Sequence, residues 1–381
     1  MGFFSVKINS NVIIMAMDFN KRHYLDYNST SPLSENVKNS IINDLYPFQN
    51  ASSQHLGGKK ALKHIKEVTN YLFNFFGLDS ELYNLYYHSG ATEGINTILN
   101  QKEGNVFFFG VDHPCVSEME ENSNFKKLKI SNEGKIDFEQ TFEFLKNNSL
   151  NDDWINYTYI NNETGIVWPL DIALKFKEKF GLKVHVDAVQ LVGKLRSFKL
   201  LNEIDAYTFS GHKFGALKGI GFSFIKKDII LKPLTVGGDQ QKGFKSGTLN
   251  THGILSLKDA LEDFIDFESK ADELSLLKNE LICIIETNPN LEYISNESLN
   301  TVSFLHKSSR SDTVFIHFDL AGLEVSTGSA CSSGSIRPSR VISEMGRKDL
   351  ASNLIRISLG LKNLQDKEAI IENFKKVIQK I

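Results

Sequence analysis

From about residue 82 onward the chain alternates short β-rich runs with helical segments, and no other feature narrows its fold as much. The runs 82–87, 105–109, 153–160, 183–187, 205–210 and 219–225 are rich in Tyr, Phe, Ile and Val and read as strands. Between them, 92–100, 138–147 and 169–180 read as helices, the last opening with Pro169 and stopping at Gly181. This order predicts an α/β domain: a mostly parallel sheet flanked by helices, with late runs such as 219–225 adding antiparallel strands.

The texture changes after residue 250. Leu257, Leu261, Phe264, Ala271, Leu274, Leu281 and Ile285 keep near-helical spacing and predict one long amphipathic helix over about 252–287. Shorter strands at 301–306, 323–327 and 354–359 follow, with a closing helix near 367–381. The expected division is a large α/β domain over 24–250 and a smaller α+β domain from 1–23 and 251–381. A length of 381 residues with 41% hydrophobic side chains suits two domains.

Charge and cysteine usage exclude several classes. Lys and Arg number 43 against 46 Asp and Glu, a net charge of −3, which removes the broad electrostatic reason to expect direct nucleic-acid binding. The apolar run Val12–Met17 falls far short of the roughly 20 residues of a membrane span, so no membrane association and a cytoplasmic location are expected. Met15 and Met17, just before Asp18, leave the start codon open. Three cysteines, Cys115, Cys283 and Cys331, are too few for a disulfide framework, and without CxxC or HExxH spacing no metal site is expected.

The chemistry concentrates in a few places. His185-Val186-Asp187-Ala188-Val189-Gln190 ends one predicted strand, and Ser210-Gly211-His212-Lys213 ends another. Ligands of open α/β sheets sit beyond the carboxyl ends of the strands. An acid and a lysine delivered there suit pyridoxal phosphate: the lysine forms a Schiff base and the carboxylate keeps the pyridine nitrogen protonated. Ser89-Gly90-Ala91-Thr92-Glu93, between a strand and a helix, suits either a phosphate at a helix N-terminus or a plain helix cap. Ser326–Ser335 carries Cys331 among small residues with no apolar neighbour to bury it, which suggests an exposed nucleophilic thiol. Cys115 and Cys283 lie in apolar or helical contexts and read as structural. His113, in Asp112-His113-Pro114, suits stacking on a ring or acid/base work. Arg356, flanked by apolar residues, needs either a substrate carboxylate or a salt-bridge partner.

In combination these residues resemble the cysteine desulfurases, pyridoxal phosphate enzymes of fold type I in the class V aminotransferase group. The resemblance runs from Tyr24-Leu25-Asp26-Tyr27-Asn28 to Ser358-Leu359-Gly360 and includes Asn161-Asn162-Glu163-Thr164-Gly165 and Ser246-Gly247-Thr248. The cysteine segment resembles the S-G-S-A-C form of the iron–sulfur-assembly branch. The resemblance implies that Lys213 holds the cofactor, that Asp187 faces its ring nitrogen, that Gln190 meets its phenolic oxygen and that His113 stacks on the ring. Ala91, Thr92, Ser210 and His212 would hold the phosphate, with Thr248 supplied by a second subunit of a homodimer. Asn162 and Arg356 would orient L-cysteine, and Asn162 would also contact the cofactor. Cys331 would take its sulfur as a persulfide, release L-alanine and pass the sulfur to an iron–sulfur scaffold or a tRNA-thiolation protein.

Three departures stand out. Lys245 replaces the family's usual Arg, Gly237–Gly243 lacks the usual acidic residue, and Ala216-Leu217-Lys218-Gly219 replaces G-P-K-G. The alternatives are a selenocysteine lyase or aminotransferase of the same group, or a non-catalytic scaffold.

Overall fold

The structure, a computed structural model, describes residues 22–100, 104–265, 267–328 and 337–381. In chain order it runs β1 (His23–Tyr24), α1 (Glu35–Ile42), α2 (Leu56–Phe76), β2 (Tyr83–His88), α3 (Ala91–Leu99) and β3 (Val106–Phe109). Next come α4 (Pro114–Ser117), β4 (Phe125–Leu128), α5 (Phe138–Asn148), β5 (Trp154–Thr158), α6 (Leu170–Phe180), β6 (Lys183–Asp187), β7 (Ala206–Ser210) and β8 (Gly221–Lys226). The remainder is α7 (Thr251–Glu262), α8 (Phe267–Glu286), β9 (Leu291–Ile294), β10 (Thr301–His306), α9 (Ser311–Leu320), β11 (Leu323–Glu324), α10 (Arg340–Glu344), β12 (Leu354–Ser358) and α11 (Lys367–Ile378).

The main sheet has seven strands in the order β2-β8-β7-β6-β5-β3-β4. Strands β4, β3, β5, β6 and β7 run parallel, while β8 pairs antiparallel with both β7 and β2. The late run expected to add an antiparallel strand therefore does so. Continuous apolar runs such as Val106-Phe107-Phe108-Phe109, buried at every position, are what a sheet covered on both faces requires. Helix α6 ends as expected at Gly181, whose φ of 66° a residue without Cβ adopts freely.

A second, smaller core surrounds the antiparallel sheet β12-β10-β9, with α8, α9 and α11 packed against it. Two expectations fail here. The single helix over about 252–287 is two helices, because its apolar residues serve different cores. Ile254, Leu257, Ala260 and Leu261 of α7 pack into the core of the large sheet, whereas Ala271, Leu274 and Leu281 of α8 pack into the smaller one. At the break, Phe264 lies so close to Gly193 that a Cβ there would come within 2.5 Å of its ring. The strand expected at 323–327 is only Leu323–Glu324, which pairs parallel with β1. That pairing carries residues 23 and 24 into the small unit, and Leu25 belongs to its core.

Candidate active site

The site forms where β6 and β7 end. Asp187 is the last residue of β6, and its Cα partners in the sheet are Thr158 of β5 and Thr208 of β7. Ser210 closes β7, and one tight turn, Gly211–Lys213, delivers the lysine to the same edge. Above them passes the segment 26–31 from the chain start. The Lys213 Nζ donates to the carbonyl oxygens of Asn28 and Ser29, each at 2.8 Å. Ser31 Oγ donates to the carbonyl of Lys213 at 2.8 Å, so the lysine is pinned at both ends.

Burial, reinforced by the charge of Arg356, lowers the Lys213 pKa to about 8, against the opposing pull of Asp26 and Asp187. Burial pushes the Asp187 carboxyl up to about 6, although it accepts a bond from the Val189 amide and feels Lys213. An amine that is partly neutral near pH 8 and a carboxyl charged above pH 6 suit imine chemistry.

Gln190 donates through Nε2 to the Asn28 carbonyl at 2.9 Å. Arg356, on β12 and buried, binds Asp26 Oδ1 at 2.5 Å and the carbonyl of Asn162 at 3.0 Å. Of its two readings from sequence, the salt bridge is therefore the one visible in the chain alone. The Asn161–Gly165 turn is held by Asn161 Oδ1, which accepts from the amides of Glu163 and Thr164. Glu163 in turn accepts from Ser339 Oγ.

The phosphate candidates lie along a second wall. Helix α3 starts after Gly90 with no side-chain cap, so its first amides remain open to a ligand. The alternative reading of Ser89 or Thr92 as a cap does not hold. Ser89 Oγ and its amide bond to Glu93 instead, and Thr92 is exposed. His212 Nδ1 meets Thr30 Oγ1 at 3.1 Å, and burial holds its pKa near 4, with the charges of Lys213 and Lys218 adding. His113 keeps an exposed edge, yet the protein crowded around it, and then Lys213, lower its pKa to about 4. Its Nδ1 accepts the Cys115 amide at 3.2 Å, so the neutral ring carries its proton on Nε2. Thr248 is exposed on the loop after Gly247. Cys331 lies outside the described residues.

The departures from the family pattern have local partners. Lys245 pairs with Glu93 at 2.8 Å and so joins the Ser246–Thr248 loop to the start of α3. Gln241 accepts from the amide of Tyr87 at 2.6 Å and donates to its carbonyl at 2.8 Å. It thereby satisfies the free edge of β2 as another strand would, which needs an amide rather than a carboxylate.

Sequence reasoning assigned no role to Asp26, Asn28, Ser31 or Lys194. Buried Lys194 reaches the Lys213 carbonyl at 3.4 Å. Only the block Tyr24–Asn28 signalled any of them, because contacts between residues 185 positions apart leave no local pattern.

These residues fit pyridoxal phosphate. Gln190 Oε1 and Arg356 Nε are buried without a hydrogen-bond partner among the described residues, leaving capacity for a polar ligand beside Lys213 and Asp187. The comparisons agree. Residues 23–369 match the model of the family described as aminotransferase class-V. A protein named cysteine desulfurase from Nostoc sp. is 31% identical over 341 residues, covering 85% of this chain and 84% of the relative. A cysteine desulfurase IscS from Dictyoglomus turgidum is 29% identical over 378 residues, 94% of this chain and 95% of the relative. Among solved structures, a NifS-like protein from Rickettsia africae superposes with a TM-score of 0.86 at 27% identity, covering 94% of this chain and all of that one. The chain with this lysine and aspartate together at its strand ends belongs to the class V aminotransferase family of pyridoxal phosphate enzymes and, within it, to the cysteine desulfurases.

Proposed function

We propose that the enzyme moves the sulfur of L-cysteine onto Cys331 and delivers it to a protein acceptor of iron–sulfur assembly or tRNA thiolation. The convergence of Lys213 and Asp187 at adjacent strand ends is the observation that carries this reading. Pyridoxal phosphate, when bound, supplies the electron sink that stabilises negative charge at the substrate Cα. Lys213 would be the amine that holds it, and its Nζ would serve as the base for the Cα proton. Asp187 would hold a proton at the ring nitrogen, Gln190 would meet the phenolic oxygen, and His113 would stack on the ring. Ala91, Thr92, Ser210 and His212 receive the phosphate beside the open start of α3.

Arg356 turns its guanidinium toward the substrate carboxylate, with Asn162 as the second orienting group. The Cys331 thiolate then attacks the substrate sulfur. An S–S bond forms, the C–S bond breaks, and its electron pair stays with the carbon skeleton, which takes up protons and leaves as L-alanine. The net change is L-cysteine plus a thiol giving L-alanine plus a persulfide, balanced in atoms and electrons.

A cytoplasmic homodimer is part of the same reading. Its support is the exposed position of Thr248 together with large apolar side chains in the open, Phe48 at 86% and Ile230 at 94%. Iron–sulfur assembly draws support from relatives that bear the name IscS. The test measures sulfide and alanine from L-cysteine with a thiol reductant, for the wild type and Cys331→Ala. Equal yields that disappear in the variant while cofactor stays bound are expected. Undiminished activity in Cys331→Ala would overturn the assignment of the sulfur acceptor.

A further inference from the structure

Beneath the cofactor face of the main sheet, where apolar packing is the rule, a line of polar side chains crosses five strands and ends in a loop. His88 Nε2 meets Ser223 Oγ at 3.0 Å, and Ser223 meets Thr208 Oγ1 at 2.8 Å. Thr208 meets His185 Nε2 at 2.8 Å, and His185 Nδ1 meets Asn156 Oδ1 at 2.7 Å. Asn156 Nδ2 then donates to Asp112 Oδ2 at 2.8 Å. All six residues are buried, five of them at 2% exposure or less. The ring of His88 occupies space left by two glycines: a Cβ on Gly94 would stand 2.3 Å from it and one on Gly221 2.7 Å.

The line has a direction. Asp112 also receives Thr158 Oγ1 at 2.7 Å and the Phe109 amide at 3.0 Å, so its carboxylate accepts three donors. With Asn156 donating to Asp112, its carbonyl must accept, which puts the His185 proton on Nδ1. His185 Nε2 then accepts from Thr208, Thr208 from Ser223, and Ser223 from His88 Nε2–H. Every dipole points the same way and stabilises negative charge at Asp112, each bond polarising the next. Among the described residues, no hydrogen bond or ion pair gives Asp112 a cationic partner. A buried carboxylate without a counter-ion costs stability, so a role elsewhere is the physical reason to look for.

Its position supplies one. The turn closed by Asp112 carries His113, and the hydroxyl bonded to Asp112 belongs to Thr158, the direct cross-strand neighbour of Asp187. We infer that Asp112 is a positioning residue of the cofactor site: an anion held by the line from His88 that adds a second negative charge behind Asp187 and fixes the turn bearing His113. This rests on the reading that Asp187 faces the ring nitrogen. The consequence is that the proton shared by Asp187 and that nitrogen is held by two carboxylates rather than one. Burial and the nearby Asp187 push the Asp112 carboxyl up to about 7, so it is charged at the mildly alkaline pH where Lys213 is partly neutral. The titratable and charged groups around it are Asp187 from β6, His185 from β6 through Asn156, His113 and Cys115 from its own turn and α4, and Arg340 and Glu344 of α10 against Gly110 of the same turn.

The test uses the holoenzyme carrying pyridoxal phosphate labelled with 15N in the ring and follows the ring-nitrogen shift against pH. In Asp112→Asn the deprotonation midpoint is expected to fall by about one pH unit or more, the size of a lost nearby charge. Thr158→Val, which keeps the fold's volume and removes one donor to Asp112, is expected to move it the same way by less. Asp112→Glu, which restores the charge, is expected to recover part of the shift. Midpoints indistinguishable from wild type in both Asp112→Asn and Thr158→Val would overturn the inference. Asp187→Asn separates the two readings. If it leaves the nitrogen unchanged, the placement of Asp187 fails; if it alone moves the midpoint, only the role of Asp112 fails.

Discussion

Lys213 and Gln190 share one acceptor: the carbonyl oxygen of Asn28 takes the Lys213 ammonium at 2.8 Å and the Gln190 amide at 2.9 Å. The segment 26–31 thus holds the Lys213 ammonium, and on the proposed function attaching the cofactor would draw Lys213 away from it. Asn28 is itself fastened to the small unit, since its amide donates to Thr301 Oγ1 at 2.9 Å and its side-chain oxygen accepts from Asn300 at 3.1 Å.

Asn28→Ala removes three hydrogen bonds, to Thr301 Oγ1, to the Asn162 carbonyl and from the Asn300 amide, while each of those groups keeps one other partner. The expected cost is about 2–3 kcal/mol of stability, from three lost bonds at about 1 kcal/mol each. Urea unfolding of wild type and variant holoenzyme measures it, and a difference near zero would show that water replaces the side chain.

The lowered pKa of Lys213 predicts when the cofactor attaches. The neutral amine accumulates as pH rises through about 8 rather than through its ordinary value of 10.5. The rate at which apoenzyme takes up pyridoxal phosphate should therefore reach half its maximum near pH 8, followed by absorbance in stopped flow. A rise centred near the ordinary value would mean that the amine is better solvated than its carbonyl partners imply.

Asp187 predicts an opposite trend in stability. Its folded pKa is raised from 3.8 to about 6, so the folded apoenzyme binds a proton that the unfolded chain releases. The stabilisation is complete below the unfolded value and is lost as pH rises through about 6. Between pH 4 and 7 the Tm of wild-type apoenzyme should fall relative to Asp187→Asn. Parallel Tm curves would contradict the burial-driven shift.

The Glu93–Lys245 pair is half-screened, with side chains 21% and 26% exposed. A double-mutant cycle with Glu93→Gln and Lys245→Gln should give a coupling of about 1 kcal/mol in stability. Lys245→Arg should retain it. Because the pair links the start of α3 to the loop bearing Thr248, Lys245→Gln should also weaken cofactor retention, measured by dialysis against phosphate.

Gly360→Ala is expected to destabilise the enzyme by about 1–3 kcal/mol through overpacking. A Cβ there would lie 2.0 Å from the Tyr27 ring, which sits beside Asn28. Thermal melting and faster proteolysis near the chain start report the effect, and an unchanged melting temperature would mean that Tyr27 moves aside freely.

Much of the large sheet was legible before any coordinates. Strands β5 to β8 and helices α5 and α6 fall within a few residues of where periodicity and turn residues placed them. Strand β4 was missed because Lys126 and Lys127 interrupt its apolar pattern, as an edge strand permits. The long-helix expectation failed because a single periodicity is blind to which core each face meets. At the site, Lys213 and Asp187 stood out because strand-end position and residue type together imply a chemistry. The line from His88 to Asp112 did not, since its six members are ordinary core positions until the sheet sets them in register.

By itself the sequence determined the class of chemistry and the strands that carry it, because side-chain type and local periodicity are properties of short stretches. Only the tertiary structure decided which groups act together: Asn28 over Lys213, Asp26 on Arg356, Lys245 on Glu93, and Asp112 behind Asp187. The reason is physical. Hydrogen bonds and charges act over a few ångströms in space, and strand order and register, not distance along the chain, set which side chains come that close.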